Sequence, residues 1–298
     1  MQKLFAYPGG KWPIRNLIVG QFPSHQTFVD VFGGSAAILL TKEPSKGEVF
    51  NDANQEIVNF FRVVKHRPAE LAERSRHWIH SRQMWSEIKA VPTPVDEVER
   101  AFRFWALVVD SFGATGDSFG TTRSGVRSVT RARAHLTLVA DRLKDVHIEN
   151  LDFRKCIRLY DGPDTFFYLD PPYRGTTGGD SHYDTLPDEA WLEMRDLLKS
   201  IEGRFLLSHT DDAFVCRLFD GFSIRRIQVR VSLSRKKAGQ MRSEVLISNY
   251  PLARSLKNHQ RREGDRGAAP SAELSGKAVH RPSIRSKLER ARVHLDRR

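Results

Sequence analysis

The residues best placed to do chemistry are Asp170, Pro171, Pro172 and Tyr173, which close the apolar run Thr165-Phe166-Phe167-Tyr168-Leu169. The run keeps β-propensity without alternation, the pattern of a strand buried on both faces. Two consecutive prolines stop it. Its C-terminal end therefore offers one carboxylate, a stiff backbone lacking two N–H donors, and one aromatic ring, at the edge of the sheet where α/β proteins collect ligands. A plain turn is the competing account of an Asp-Pro pair.

Three upstream stretches could supply the rest of a site. Tyr7-Pro8-Gly9-Gly10-Lys11 is a turn by composition that brings a ring, a cation and a backbone a ligand can approach closely. Thr27 to Phe32 reads as a second buried strand, and it runs into Gly33-Gly34-Ser35 and an apolar helix expected over Ala36 to Leu40. Strand, glycine turn and helix in that order open a nucleotide-binding α/β unit, although an ordinary βα turn has the same outline. Glu48 to Asp52 reads as the next strand. It ends in an acid about 20 residues on, where a carboxylate commonly takes the ribose hydroxyls of a nucleoside cofactor.

The elements that must carry these residues follow from periodicity. Helices are expected over Gln55 to Lys65, Pro68 to His80, Asp96 to Val109, Pro187 to Lys199 and Asp212 to Phe219, with strands over Val146 to Asn150, Gly203 to Ser208, Ser223 to Ser232 and Ser243 to Asn249. Alternating strands and helices imply an α/β fold, a mostly parallel sheet covered on both faces, with the last two strands as a hairpin. Residues 1–67 and 145–252 form this catalytic part, and 68–144 a mostly helical insertion. Ser111 to Thr130 is rich in Gly, Ser and Thr, with Arg123, Arg127 and Arg131 in or beside it and no acid from Thr121 to His135. Such a loop suits phosphate and base-edge contacts, or is simply a solvated basic surface. Arg174 to Thr185, with Tyr183, reads as a lid. Residues 253–298 read as a basic, disordered tail.

The bulk properties narrow the class. The 298 residues carry a net charge of +12, of which the tail from Ser255 supplies +7, so the charge favours a polyanionic partner less strongly than its total suggests. Cys156 and Cys216 stand alone, without disulfide or zinc spacing. No run approaches the ~20 apolar residues of a membrane span, and a cytoplasmic protein is expected.

Taken together, YPGGK at residues 7–11, FVDVFGGS at 28–35, ND at 51–52 and DPPY at 170–173 resemble the Dam-like DNA adenine methyltransferases, including phage and prophage enzymes. The resemblance extends to NDANQEIVNFFRVVK and RSEVLISNY, and covers roughly residues 1–250. It implies a Rossmann-like sheet binding S-adenosylmethionine, with the helical insertion as target-recognition region. Tyr7 and Lys11 would contact the cofactor, Asp30, Phe32 and Gly34 would line its methionine and ribose end, Asp52 would take the ribose, and Asp152 and Phe153 would flank its adenine. Asp170 and the Pro171 carbonyl would hold the exocyclic amine of a flipped-out adenine, Pro172 would keep the backbone rigid, and Tyr173 would stack on the base. Arg123, Arg127, Arg131 and Lys236 are expected on phosphates.

The implied partner is double-stranded DNA, with a cognate restriction endonuclease left open. A monomer without metal is expected. Two other readings stay in play: an RNA adenine or protein glutamine methyltransferase, the latter characteristically carrying Asn where Asp170 stands, and a DNA-binding relative without catalysis.

Overall fold

The computed structural model describes residues 2–121, 129–174, 185–230 and 241–253. Arg123, Arg127, Tyr183, Lys236 and the tail from Ser255 lie outside them. In chain order the elements are α1 (Arg15–Val19), β1 (Thr27–Asp30), β2 (Gly47–Asn51), α2 (Gln55–His66), α3 (Pro68–Arg74), α4 (Arg82–Ala90), α5 (Glu97–Val109), α6 (Val129–Arg133) and α7 (Leu136–Leu143). They continue with β3 (His147–Glu149), α8 (Phe153–Tyr160), β4 (Thr165–Leu169), α9 (Asp188–Ser200), β5 (Arg204–Thr210), α10 (Ala213–Leu218), β6 (Ser223–Arg230) and β7 (Met241–Ser248).

The strands form one sheet in the order β3-β2-β1-β4-β5-β7-β6. The first five run parallel, and β7 pairs antiparallel with both β5 and β6, as a terminal hairpin should. Every residue of β4 is buried, and alternation sorts its side chains between two cores. Phe166 and Tyr168 join Phe28, Phe50, Phe60, Phe61 and Trp105 on one face, whereas Phe167 and Leu169 join Val29, Val49, Ile157, Trp191 and Met194 on the other. A strand that must satisfy both faces cannot alternate polar with apolar residues, which is why the run reads as continuous.

On the first face α2 is the platform for α5. Its Ile57, Phe60, Phe61 and Val64 are buried, and α5 packs on them through Ala101, Phe102 and Trp105. Capping fixes where both helices begin: Asn54 accepts from the Glu56 N–H, and Asp96 from the N–H groups of Val98 and Glu99. The Trp105 indole donates to the Leu4 carbonyl at 3.0 Å, so α5 also holds the N-terminal segment.

Two expected elements differ. Ala36 to Leu40 forms consecutive turns, because Gly34 (φ 50°) and Ala36 (φ 56°) both take left-handed conformations that a helix does not admit. The helix expected to reach His80 ends at Arg74, and α4 follows from the Ser81 cap. A buried ionic cluster braces the turn segment from beneath. Arg142 grips Glu48 through Nη1 (2.5 Å) and Nη2 (2.8 Å), its Nη2 also donates to the Leu39 carbonyl (2.9 Å), and Lys42 bonds Glu48 at 2.5 Å. Removing one partner of such a cluster strands a buried charge. We expect Arg142→Met to lower unfolding stability by about 3 kcal/mol in urea at pH 7, and a loss below about 1 kcal/mol would show that Lys42 alone satisfies Glu48.

Candidate active site

The strand order reverses direction between β1 and β4, and at such a switch point the following crossovers leave on opposite faces and open a crevice at the strands' C-terminal ends. A cavity of about 930 Å³ occupies that place. Tyr7, Lys11, Asp30, Phe32, Gly34 and Asp52 line it, and so do Asp152, Phe153, Asp170, Pro171, Pro172 and Tyr173. These twelve residues, singled out from four separated stretches and the turn before α8, thus meet in one site. Arg131 is exposed and does not line it.

The centre of the site is an ion pair. Lys11 is 3 % exposed and donates from Nζ to Asp170 Oδ1, to the Tyr173 hydroxyl at 2.6 Å and to the Gly9 carbonyl at 3.1 Å. The turn that delivers it needs its glycines: Gly9 has φ 72°, and a Cβ on Gly10 would meet the Tyr7 carbonyl oxygen at 2.9 Å. Burial alone would lower the lysine's pKa, but Asp170, Tyr173 and Glu244 together outweigh it and hold the ammonium charged. Burial pushes the Asp170 carboxyl above its usual range, against the pull of Lys11. Among the described residues, Asp170 spends Oδ1 on Lys11 and on the Ser208 hydroxyl, and Oδ2 carries no hydrogen bond.

Three further carboxylates line the cavity, those of Asp30, Asp52 and Asp152. Asp30 closes β1, is 1 % exposed, and leaves Oδ1 without a partner among the described residues. Burial, then the proximity of Asp170 and Asp52, raises its pKa well above the ordinary value. Asp52 follows β2 and accepts from the N–H of Gly34 and of Asn54, each at 2.8 Å. Burial still pushes it up to about 6. Four acids around one cavity, Asp152 being the fourth, call for a cationic or multiply donating guest.

The rest of the wall is built for close approach. Asp152 caps α8 through the Arg154 N–H at 2.9 Å, and Phe153 packs against Phe32 with ring centroids 5.8 Å apart. Sequence reasoning passed over Asn51, buried at the end of β2. Its amide donates to the carbonyls of Val31 (2.9 Å) and Leu151 (3.0 Å) and accepts from the Leu151 N–H, tying three cavity walls together. Thr115, from the insertion, also reaches the cavity. Neither had a signal beyond its neighbours.

With this geometry in view, comparison with known proteins is decisive. The family model of the D12 class N6 adenine-specific DNA methyltransferases matches residues 7–233. The chain belongs to this family. It is an enzyme that methylates the N6 of adenine in DNA, which resolves the choice among DNA, RNA and protein substrates left open above. Similar curated proteins include a type II methyltransferase, M1.LlaDCHI, of Lactococcus lactis subsp. cremoris, 24 % identical over 268 residues, with 82 % of this chain and 94 % of that protein aligned. A DNA adenine methylase of Haemophilus influenzae is 21 % identical, over 82 % of this chain and 92 % of its own. The modification methylase StsI of Streptococcus sanguinis is 26 % identical over 69 % of this chain but only 35 % of its own length. Among the described residues of this methyltransferase no helix is long and apolar enough to cross a membrane, and no group of His, Cys, Asp and Glu is arranged to hold a metal.

The glycine turn after β1 gives the cavity its floor. A Cβ at Gly33 would lie 2.1 Å from the Phe50 ring, which is fully buried and cannot retreat. Gly33→Ala is therefore expected to cost about 1–3 kcal/mol in thermal unfolding through overpacking; an unchanged midpoint would mean that the turn yields without penalty.

Proposed function

We propose that this methyltransferase binds S-adenosylmethionine in the cavity and uses Asp170, Pro171 and Tyr173 to present a flipped-out adenine at a defined short sequence of double-stranded DNA. The observation that carries the reading is the meeting of the Lys11–Asp170–Tyr173 cluster with Asp30 and Asp52 in one cavity. The donor set fits the cofactor's charges. Asp30 has a buried carboxylate oxygen that no described residue bonds, open to an ammonium group, and Asp52 stands where ribose hydroxyls are taken, its position fixed by two backbone donors. Phe153 and Asp152 suit the flank of the adenine, and Phe32, packed against the Phe153 ring, the ribose and methionine end. When bound, the cofactor supplies an electrophilic methyl on a sulfonium centre.

The chain's own part is orientation and charge. The exocyclic amine of adenine is a poor nucleophile because its lone pair is delocalised into the ring. Asp170 Oδ2, which has no hydrogen bond among the described residues, and the Pro171 carbonyl can each accept one of its hydrogens, turning the nitrogen's lone pair towards the donor. The carboxylate supports the positive charge that grows on nitrogen, and its raised proton affinity equips it to take the proton shed once the new C–N bond forms. Pro172 stiffens the turn, and the Tyr173 ring gives the flipped base a face to stack on. Tyr7 and Lys11 close the N-terminal side.

The reading extends to DNA selection. The insertion, residues 68–144, would read the target, and exposed Arg131 stands on it as a phosphate contact. Arg123, Arg127 and Lys236 keep the same assignment from sequence alone. Relatives named type II methyltransferase and modification methylase favour a modification role opposite a cognate endonuclease.

Two measurements test this function. In single-turnover assays with radiolabelled cofactor and mixed-sequence DNA, Asp170→Ala should slow methyl incorporation roughly 10²- to 10³-fold while DNA affinity holds; undiminished incorporation would overturn the assigned role. Cofactor affinity should also depend on pH through Asp52. Its free-state pKa of about 6 falls when ribose hydroxyls bond the ionised carboxylate, so affinity rises with pH through about 6 and levels off above it. Calorimetric titrations from pH 5 to 8 should show that inflection in the parent enzyme and lack it in Asp52→Asn; a flat profile in the parent would remove Asp52 from the ribose.

A further inference from the structure

Ser208 and His209 lie near the end of β5, just past the register partner of Leu169; both are fully buried, and neither lines the cavity. A buried hydroxyl and a buried imidazole side by side in a parallel strand are costly unless their bonds are used. Apart from the neighbouring Thr210, their hydrogen-bond partners lie between Tyr168 and Arg174, in or just after the stretch that carries the chemistry. The Ser208 hydroxyl donates to Asp170 Oδ1 at 3.1 Å and takes its own bond from the Tyr168 hydroxyl at 2.8 Å. Ser208 has one proton and gives it to the carboxylate, so Tyr168 must be the donor in the first link. Burial holds that phenol protonated, as the role requires.

His209 is equally constrained. The backbone N–H of Arg174 lies 3.2 Å from Nε2, and the Thr210 carbonyl 2.9 Å from Nδ1. An N–H can only donate and a carbonyl can only accept, so the ring is neutral with its proton on Nδ1. The imidazole also meets Tyr173 edge to face at 4.9 Å and Trp191 at 5.0 Å. It therefore anchors the backbone just after Tyr173 and backs the tyrosine ring.

We propose that Ser208 and His209 are a paired brace that sets the reacting geometry of this site, Ser208 by aiming Asp170 and His209 by fixing the placement of Tyr173. The terminal torsion of an aspartate is broad. With Oδ1 committed to Ser208 and Lys11, the carboxylate has one orientation and Oδ2 faces its guest. The chain from Tyr168 through Ser208 to Asp170 ends on a charge, which strengthens each link. On the other arm, the Arg174 N–H bonded to Nε2 fixes where the backbone goes once the two prolines release it. Both residues act through others, so they are positioning residues.

This inference rests on Asp170 as the amine's acceptor, and the test separates the two. Single-turnover methyl transfer at saturating S-adenosylmethionine and mixed-sequence DNA would be measured beside the affinities for each. Ser208→Ala is expected to slow transfer at least about tenfold with both affinities within about twofold, because only alignment is lost. Tyr168→Phe should give a smaller loss in the same direction. At position 209 the pattern is stereochemical: Gln can accept from the Arg174 N–H where Nε2 did, and Asn reproduces only the donor at Nδ1. His209→Gln should therefore retain several-fold more activity than His209→Asn. Unchanged transfer in Ser208→Ala, a loss matched by equal loss of cofactor affinity, or Asn performing as well as Gln would overturn the brace. Activity surviving in Asp170→Ala would instead strike the underlying assignment of Asp170.

Discussion

Everything in the site depends on keeping one carboxylate, Asp170, ionised and aimed in a place where water does little to help. Burial raises its proton affinity, and three other acids, Asp30, Asp52 and Asp152, share the same cavity. Left alone, such a group would neutralise. Lys11 opposes that through a direct ion pair, and the pair differs from most buried bridges in that one carboxylate oxygen remains to bond a guest. A fully satisfied bridge would be inert, and an unpaired acid would be protonated. The arrangement sits between these limits.

The sheet supplies the rigidity that this balance requires. β1 and β4 are neighbours in register, with Asp30 opposite Tyr168, so the acids that end the two strands are separated by a fixed backbone distance. Behind them, Phe28, Phe50, Phe166 and Tyr168 fill one core, and Val29, Phe167 and Leu169 the other. At interior packing density these rings leave little room to shift. The turn from Gly33 to Thr41 forms a wall with neither helix nor strand. It is held instead by the Asp52 carboxylate above, through Gly34, and by Arg142 below, through Leu39.

Much of this was legible in the sequence because it obeys local rules. β1, β2 and β4 announced themselves as apolar runs ended by acids or glycines, and the terminal hairpin as paired β-rich runs. Asp52 and Asp170 followed from strand ends, since the ends of parallel strands are where ligands bind, whereas Asp30 and Asp152 came with the family resemblance. What escaped was decided by tertiary partners. Ala36 to Leu40 has helical composition, but left-handed Gly34 and Ala36 turn it away. Ser208 and His209 follow the apolar run Phe205–Leu207 in β5 and show their purpose only when Asp170 and Arg174 arrive after β4. The Glu48–Arg142 pair spans 94 residues, and nothing local to either foretells it.

The sequence distance across the central pair has a structural consequence. Lys11 and Asp170 are 159 residues apart, and the segment that carries Lys11 adds no strand to the sheet. What fixes that segment is the burial of Leu4 and Phe5 among Phe60, Phe61 and Phe104, together with the Trp105 indole bonded to the Leu4 carbonyl. Trp105 and Phe104 belong to α5, and Phe60 and Phe61 to α2, on which α5 rests. The lysine that counters the neutralisation of Asp170 is thus placed by α2 and α5 together, while Asp170 itself is placed by the sheet. The ion pair at the candidate site therefore depends on α5, an element of the region proposed to read DNA, as well as on the sheet.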